Sequence, residues 1–224
     1  MSNNIKIVDR VTFIKEECKG KKVLHLGCTN YPYTAESLKN NDLLHNSLAE
    51  ISEELYGFDF DQEGLDILSK SGTNNLFLAD LENLDNVELN ETFDVIVAGE
   101  MIEHLSNVGL FLRGIKRFMH KKTKLIITTV NAYGGLRVVL YALRGKGGMN
   151  EPVHPDHVAY YSYSTLSLVI KRENLDIEEF YFYNIGQEHR KHLPFHYKVC
   201  YDLLTGFSKQ LSDGVIAVVY NKYD

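Results

Sequence analysis

The chain has 224 residues, with 44% hydrophobic and 24% charged side chains, which suits one globular domain with a substantial core. A formal charge of −6 argues against an extended nucleic-acid surface, and the longest apolar runs are too short to span a bilayer, so a cytoplasmic protein without a membrane partner is expected. Its three cysteines, Cys18, Cys28 and Cys200, are odd in number and widely spaced, which excludes a disulfide framework and a zinc knuckle.

Apolar spacing predicts a leading helix over Val8 to Cys18, closed by the Lys19-Gly20 punctuation. Lys22 to Leu26 reads as a strand ending on Gly27, followed by a turn at Asn30 to Pro32 and a helix over Glu36 to Ser52. A second strand, Leu55 to Phe60, ends in acids at Asp59 and Asp61, and a helix over Gln62 to Ser71 follows. A third strand, Asn75 to Ala79, ends at Asp80 and Glu82. Phe93 to Ala98 is a short, apolar and β-branched run, the pattern of a central strand covered on both faces. Val108 to Met119 reads as an amphipathic helix and Lys124 to Val130 as a fifth strand. Strands alternating with helices at this spacing indicate an open, mostly parallel α/β sheet with helices on both faces, which binds ligands at the carboxyl ends of its strands.

After Asn131 the rhythm loosens. Gly134 to Arg144 suits a helix, whereas Gly145 to Pro155, with three glycines and two prolines, reads as loop. This makes 132–163 the candidate lid or insertion in a single domain spanning 1–224. Ser164 to Glu173 reads as a helix with Ser164 as N-cap, Ile177 to Tyr183 as a sixth strand, His189 to Lys209 as a His-rich entry into a helix, and Val215 to Tyr220 as a seventh strand.

Two places carry chemistry. A strand, a glycine turn at Gly27, a helix and a second strand ending in Asp59 form the general design for a nucleoside-containing cofactor. The glycine admits the ligand to the backbone and the acid accepts from ribose hydroxyls. The turn has a single glycine and no G-x-G-x-x-G, which weakens a dinucleotide reading. Beyond Gly99, a helical turn would put Glu100, Glu103 and His104 on one face, where two carboxylates and an imidazole hold a divalent cation or serve as acid and base. A solvated helix start is the bland alternative.

In order and spacing, Val23-Leu24-His25-Leu26-Gly27-Cys28, Tyr56-Gly57-Phe58-Asp59, Leu78-Ala79-Asp80-Leu81-Glu82 and Phe93-Asp94-Val95-Ile96-Val97-Ala98-Gly99-Glu100 resemble the successive motifs of class I S-adenosylmethionine-dependent methyltransferases. The resemblance covers about Lys22 to Asn184. It implies a Rossmann-like, doubly wound sheet of seven strands, mostly parallel with an antiparallel last strand. It also implies S-adenosylmethionine held by Gly27, Cys28, Asp59, Phe60, Asp80, Leu81 and Glu100. Gly27 would contact the methionine part, Asp59 the ribose, and Asp80 with Leu81 the adenine. His25 stands where that family has an acid, and Thr29 and Asn30 where it has further glycines, so binding of the methionine end must be rebuilt.

Glu100-x-x-Glu103-His104 with a downstream histidine is similar to the metal pattern of small-RNA 2′-O-methyltransferases and ubiquinone-pathway catechol O-methyltransferases. By that resemblance Glu100, Glu103, His104 and His157 would bind Mg²⁺ or another divalent metal, with His154 able to replace His157 as the fourth ligand; by its place in the sequence His104 is the nearest candidate base, and it and His157 are the candidate catalytic residues. The expected activity is O-methylation of a small-molecule acceptor, a polar metabolite or carbohydrate intermediate. The alternatives are RNA 2′-O-methylation, drawing on Arg137, Arg144, Lys146 and the Arg190 to Lys198 stretch, and a non-catalytic binding protein that keeps the fold. His192 and His196, with His189 before them, read as surface or substrate-pocket residues, and a homodimer is compatible with the chain.

Overall fold

The computed structural model describes residues 5–144 and 154–222. Among these, eight strands form one sheet: β1 (Ile7–Val8), β2 (Lys22–Leu26), β3 (Glu54–Asp59), β4 (Leu76–Leu78), β5 (Phe93–Gly99), β6 (Met119–Val130), β7 (Leu175–Tyr183) and β8 (Gly214–Asn221). Their order across the sheet is β1-β7-β8-β6-β5-β2-β3-β4. Strand β8 pairs antiparallel with both β6 and β7, and the other pairings are parallel. Nine α-helices are described: α1 (Arg10–Cys18), α2 (Thr34–Asn40), α3 (Leu44–Ala49), α4 (Gln62–Lys70), α5 (Val108–Ile115), α6 (Gly135–Arg144), α7 (Tyr163–Arg172), α8 (Gln187–His192) and α9 (Phe195–Phe207).

Alternation along the central strands explains the layering. On β2, Leu24 and Leu26 enter one core and Val23 the other; on β5, Ile96 and Ala98 face one side while Val95 and Val97 face the opposite side. Strand β8 does the same, with Val215, Ala217 and Val219 against Ile216 and Val218. A side-chain period of two on a strand buried on both faces requires near-continuous apolar sequence, as these strands have.

The Rossmann-like α/β architecture with its antiparallel closing strand agrees with the sequence reading, but the sheet has one strand more than the seven expected. Val8 lies in the edge strand β1, where it pairs with Tyr183, and not in the leading helix. The helix starts later because the Asp9 carboxylate caps it, accepting from the Thr12 amide at 2.9 Å.

The single helix expected over 36–52 is two helices, because Asn41 adopts a left-handed conformation at φ 58° and closes α2. Similarly Pro194, which has no amide hydrogen to donate, separates α8 from α9. Helix α5 ends at Ile115 in a short 3₁₀ turn, so Met119 opens β6. Ser162, not Ser164, caps α7, in a reciprocal capping box with Thr165. Of the expected loop Gly145 to Pro155, residues 145–153 lie outside the described residues, as does Lys146.

Candidate active site

The carboxyl ends of β2, β3 and β5 converge on one edge of the sheet, with β2 between β3 and β5. Gly27 closes β2 at φ 71°, a left-handed conformation that side chains resist, and its amide donates to the Phe58 carbonyl at 2.9 Å. Asp59 ends β3 with only 3% of its surface exposed. Its two oxygens accept from the Thr29 and Asp61 amides at 2.9 and 3.0 Å. Asp59 therefore pins the loop after β2 in place, where a glycine-rich turn would otherwise shape it.

The remaining expected cofactor residues divide by exposure. Phe60 is 70% exposed and its ring lies 6.0 Å from that of Tyr31, so two aromatic faces stand beside Asp59. Asp80 is exposed past the end of β4 and accepts from the Glu82 amide at 2.9 Å, with Leu81 half-buried against the main core. Cys28 is different: its side chain is buried with Leu43, Leu65 and Leu68, and burial pushes its thiol well above the usual range. Only the backbone of Cys28 is available to a ligand.

His25 is 3% exposed, and its Nδ1 lies 3.2 Å from Nδ1 of His45, with the rings stacked 5.4 Å apart. Burial holds His25 well below the ordinary imidazole range and lowers His45 to about 4. The pair is neutral, so one ring donates and the other accepts. Sequence reasoning missed the cation on this side of the sheet. The Arg10 guanidinium lies 3.7 Å from the point where a Cβ on Gly99 would sit and 6.0 Å above the Tyr183 ring. An arginine in the first turn of an ordinary leading helix carries no sequence signal of that placement.

The stretch after Gly99 is not the expected helical turn. Glu100 takes φ 55°, and a 3₁₀ turn starts only at Ile102, so Glu100, Glu103 and His104 do not share a helical face. The Glu100 carboxylate accepts from the Tyr183 hydroxyl. Glu103 is 1% exposed; its Oε2 accepts from the Thr129 hydroxyl at 2.8 Å and its Oε1 is buried with no partner. Burial, with a smaller contribution from the Glu100 charge, raises Glu103 to about 7.

Glu103, His104 and His157 each offer a ligand atom within 4.8 Å of the others, and theirs is the one such group among the described residues. His104 Nδ1 lies 3.2 Å from the Asp156 carbonyl, which can only accept. In the neutral ring the Nδ1 hydrogen makes this contact, which leaves Nε2 as the nitrogen able to act as a ligand. His157 crosses His104 edge-on at 4.7 Å, and its Nδ1 is buried without a partner. Burial, then the neighbouring His104 and His154, lowers His157 to about 4, so it is neutral near pH 7. The mutual approach of the three side chains, with an orphaned buried atom on both Glu103 and His157, fits a divalent cation. Of the expected ligands, the structure gathers Glu103, His104 and His157 but engages Glu100 with Tyr183. His154 lies against His157 with the rings tilted and 4.8 Å apart and stays exposed, and the His189 side chain is outside the description.

His157 is carried in by backbone contacts. The Val158 amide donates to the Glu103 carbonyl at 2.8 Å, and Asn131 forms a parallel bridge with Tyr161. Arg137 completes this wall, donating to the Asn131 carbonyl at 2.6 Å while lying 4.8 Å from the Tyr160 ring.

This sheet order, with its loops after β2, β3 and β4, is the architecture of class I S-adenosylmethionine-dependent methyltransferase domains. Residues 5–179 match the methyltransferase domain family, and the chain belongs to it. Two curated relatives are similar, both ubiquinone biosynthesis O-methyltransferases. The Azorhizobium caulinodans protein is 27% identical over 125 residues, covering 50% of this chain and 42% of that protein. The Bradyrhizobium diazoefficiens protein is 24% identical over 153 residues, covering 63% and 56%. The chain thus spans about half the length of the curated relatives it matches. Among solved structures, an S-adenosylmethionine-dependent methyltransferase from Archaeoglobus fulgidus superposes with a TM-score of 0.59 at 16% identity, covering 94% of this chain and 91% of that one. Magnesium protoporphyrin IX methyltransferase from Synechocystis, solved with S-adenosylhomocysteine, gives 0.55 at 12% identity, covering 94% and 79%. At these identities the likeness is one of fold.

Proposed function

We propose that the protein transfers the methyl group of S-adenosylmethionine to an oxygen of a small polar acceptor, with a divalent cation held by Glu103, His104 and His157. The single observation that carries this reading is the convergence of those three ligand atoms at the end of β5, next to the donor-type loops. Two relatives named as O-methyltransferases support oxygen as the accepting atom.

S-adenosylmethionine supplies an activated methyl, so the protein's task is to align the acceptor and remove its proton. Asp59 holds the loop after β2 and offers carboxylate lone pairs at the ribose position. Phe60 and Tyr31 give apolar faces beside it, and Asp80 stands at the adenine position. Arg10 provides positive charge for the donor's carboxylate end. The neutral His25 cannot replace a carboxylate facing the donor's ammonium, so donor binding leans on Arg10 and Asp59.

A bound cation would lower the pKa of an acceptor hydroxyl and orient it. Two imidazoles and one carboxylate suit a transition-metal ion such as Mn²⁺ or Zn²⁺ better than Mg²⁺, which prefers oxygen ligands. In the metal-free protein burial keeps Glu103 able to hold a proton near neutral pH, and a bound cation would take that proton's place, while His157 stays neutral and available as a ligand.

The test is a methyl-transfer assay against a panel of catechol, polyol and sugar acceptors, with and without EDTA. Activity that EDTA abolishes and Mn²⁺ or Zn²⁺ restores, and that Glu103→Ala removes, is the expected result. Turnover that survives both EDTA and Glu103→Ala would overturn the cation's role. If saturating S-adenosylhomocysteine leaves the melting temperature unchanged, the non-catalytic reading prevails.

A further inference from the structure

The amino ends of β3 and β4, opposite the candidate site, border a groove of about 490 Å³ that methyl transfer does not use. Helix α3 forms one wall with His45, Asn46 and Ala49, and residues 71–75, ahead of β4, form another. Ser52 and Leu55, where the chain enters β3, also line it. Its size lies within the range of small-molecule pockets, about 300–1,000 Å³.

His45 is fully buried, yet its Nε2 has no partner, and the Ser52 hydroxyl is a second buried group without one. The direction of the imidazole follows from its contacts. Its Nδ1 faces His25 of β2 at 3.2 Å, and its Cε1 lies 2.9 Å from where a Cβ on Gly57 of β3 would sit. Nε2 is bonded on the other side of Cε1, away from β2, and no β2 residue lines the groove. The unpartnered nitrogen is therefore on the groove's side of the ring. An unpaired imidazole nitrogen and an unpaired hydroxyl disfavour the empty groove, and a ligand that pairs with both removes that penalty.

The lining selects the chemistry of such a ligand. Burial lowers His45 to about 4, so the ring is neutral near pH 7. Among the described residues no Lys or Arg lines the groove, and its one acid, Glu53, is exposed. A carboxylate or phosphate would meet no positive charge there and would face Glu53. The His25–His45 contact needs one Nδ1 to donate and the other to accept, and that choice makes His45 Nε2 an acceptor or a donor. A hydroxyl answers both cases, because it can donate and accept. Asn46, Thr73 and Asn74 add amide and hydroxyl groups for further hydroxyls on the same ligand, and Leu38, Ala49 and Leu55 offer apolar contact to its carbon skeleton.

We propose that this groove binds a neutral polyhydroxyl ligand, a monosaccharide or cyclic polyol, through His45 and Ser52. Asp59 closes the other end of β3, so the groove is separate from the donor position and does not depend on the methyl-transfer reading.

Amide NMR of the isotope-labelled full chain, titrated with glucose, ribose and myo-inositol and with citrate as the anionic control, tests the proposal. Expected are saturable shifts in residues 45–55 and 71–75 with at least one of the three neutral probes, and none there with citrate. Ser52→Ala/Asn46→Ala, at two half-buried positions, should weaken that binding at least tenfold. His45→Phe removes both ring nitrogens and should abolish it; where that variant fails to fold, Ser52→Ala/Asn46→Ala decides. Saturating S-adenosylhomocysteine and Glu103→Ala should leave the shifts in place, which separates this groove from a sugar acceptor bound beside Glu103 and makes its failure distinguishable from failure of the donor site. The proposal is overturned by the absence of saturable shifts in these residues, by citrate binding there as tightly as the neutral probes, or by unchanged affinity in Ser52→Ala/Asn46→Ala.

Discussion

Replacing Glu103 by glutamine should remove a large part of the pH dependence of stability in the metal-free protein. An ordinary glutamate titrates near 4.5 and folding raises this one to about 7, chiefly because burial penalises the carboxylate. The folded state therefore binds a proton more tightly than the unfolded chain, so stability falls as pH rises from the lower value through the higher one. The gap corresponds to about 3 kcal/mol, most of which falls between pH 5 and 8. Glutamine keeps an oxygen for the Thr129 hydroxyl and carries no charge. Urea unfolding in EDTA at pH 5, 6, 7 and 8 should show the wild type losing stability relative to Glu103→Gln by that amount. Parallel pH profiles for the two proteins would refute the assignment of a strained, buried carboxylate. Adding Mn²⁺ or Zn²⁺ at pH 8 should recover stability in the wild type alone, because binding to the folded state is linked to its stability.

Three further outcomes follow from individual contacts. His157→Ala should weaken Mn²⁺ or Zn²⁺ binding at least tenfold in isothermal titration calorimetry at pH 7.5, since it removes one of three converging ligands. Asp59→Asn replaces an oxygen that accepts a backbone amide with a group that can only donate, so it should cost about 1–3 kcal/mol in urea unfolding. The same variant should also shrink the thermal shift given by S-adenosylhomocysteine. A Cβ on Gly214 would lie 1.9 Å from the Tyr183 ring, so Gly214→Ala should destabilise the fold by at least about 1–3 kcal/mol, read as a lower urea midpoint.

What could be read from the sequence is what depends on local pattern. Strands β2, β5 and β8 are apolar runs whose period of two suits burial on both faces, and Asp59 follows from its place at a strand end. Breaks set by a single backbone conformation were not readable in this way. Asn41 could have continued a helix as well as closed one, and Asp9 is a cap only once Val8 is drawn onto the edge of β7. The candidate site divides along the same line. His157 reaches Glu103 through the Val158 amide and the Asn131–Tyr161 bridge, which are contacts between segments far apart in sequence. Arg10 is the extreme case, since its relevance exists only after α1 packs behind the end of β5.

The placement of Glu100 and Glu103 shows why spacing alone misassigned their common face. Both follow β5, and in a helical turn their carboxylates would project together. The adjacent strands impose a different arrangement. Thr129 of β6 binds Glu103 through its hydroxyl, and Tyr183 of β7 donates to Glu100. Tyr183 can occupy that position because β8 presents Gly214 opposite it in the pairing register. Glu100 is thus satisfied by a neutral donor, whereas Glu103 keeps one buried oxygen without a partner beside His157. A carboxylate in that state is destabilised until a proton or a cation arrives. Two acids of one type, three residues apart, therefore stand in different environments: Glu100 is fixed by its hydrogen bond, and Glu103 has a buried oxygen that a proton or, in the proposed function, a cation would satisfy.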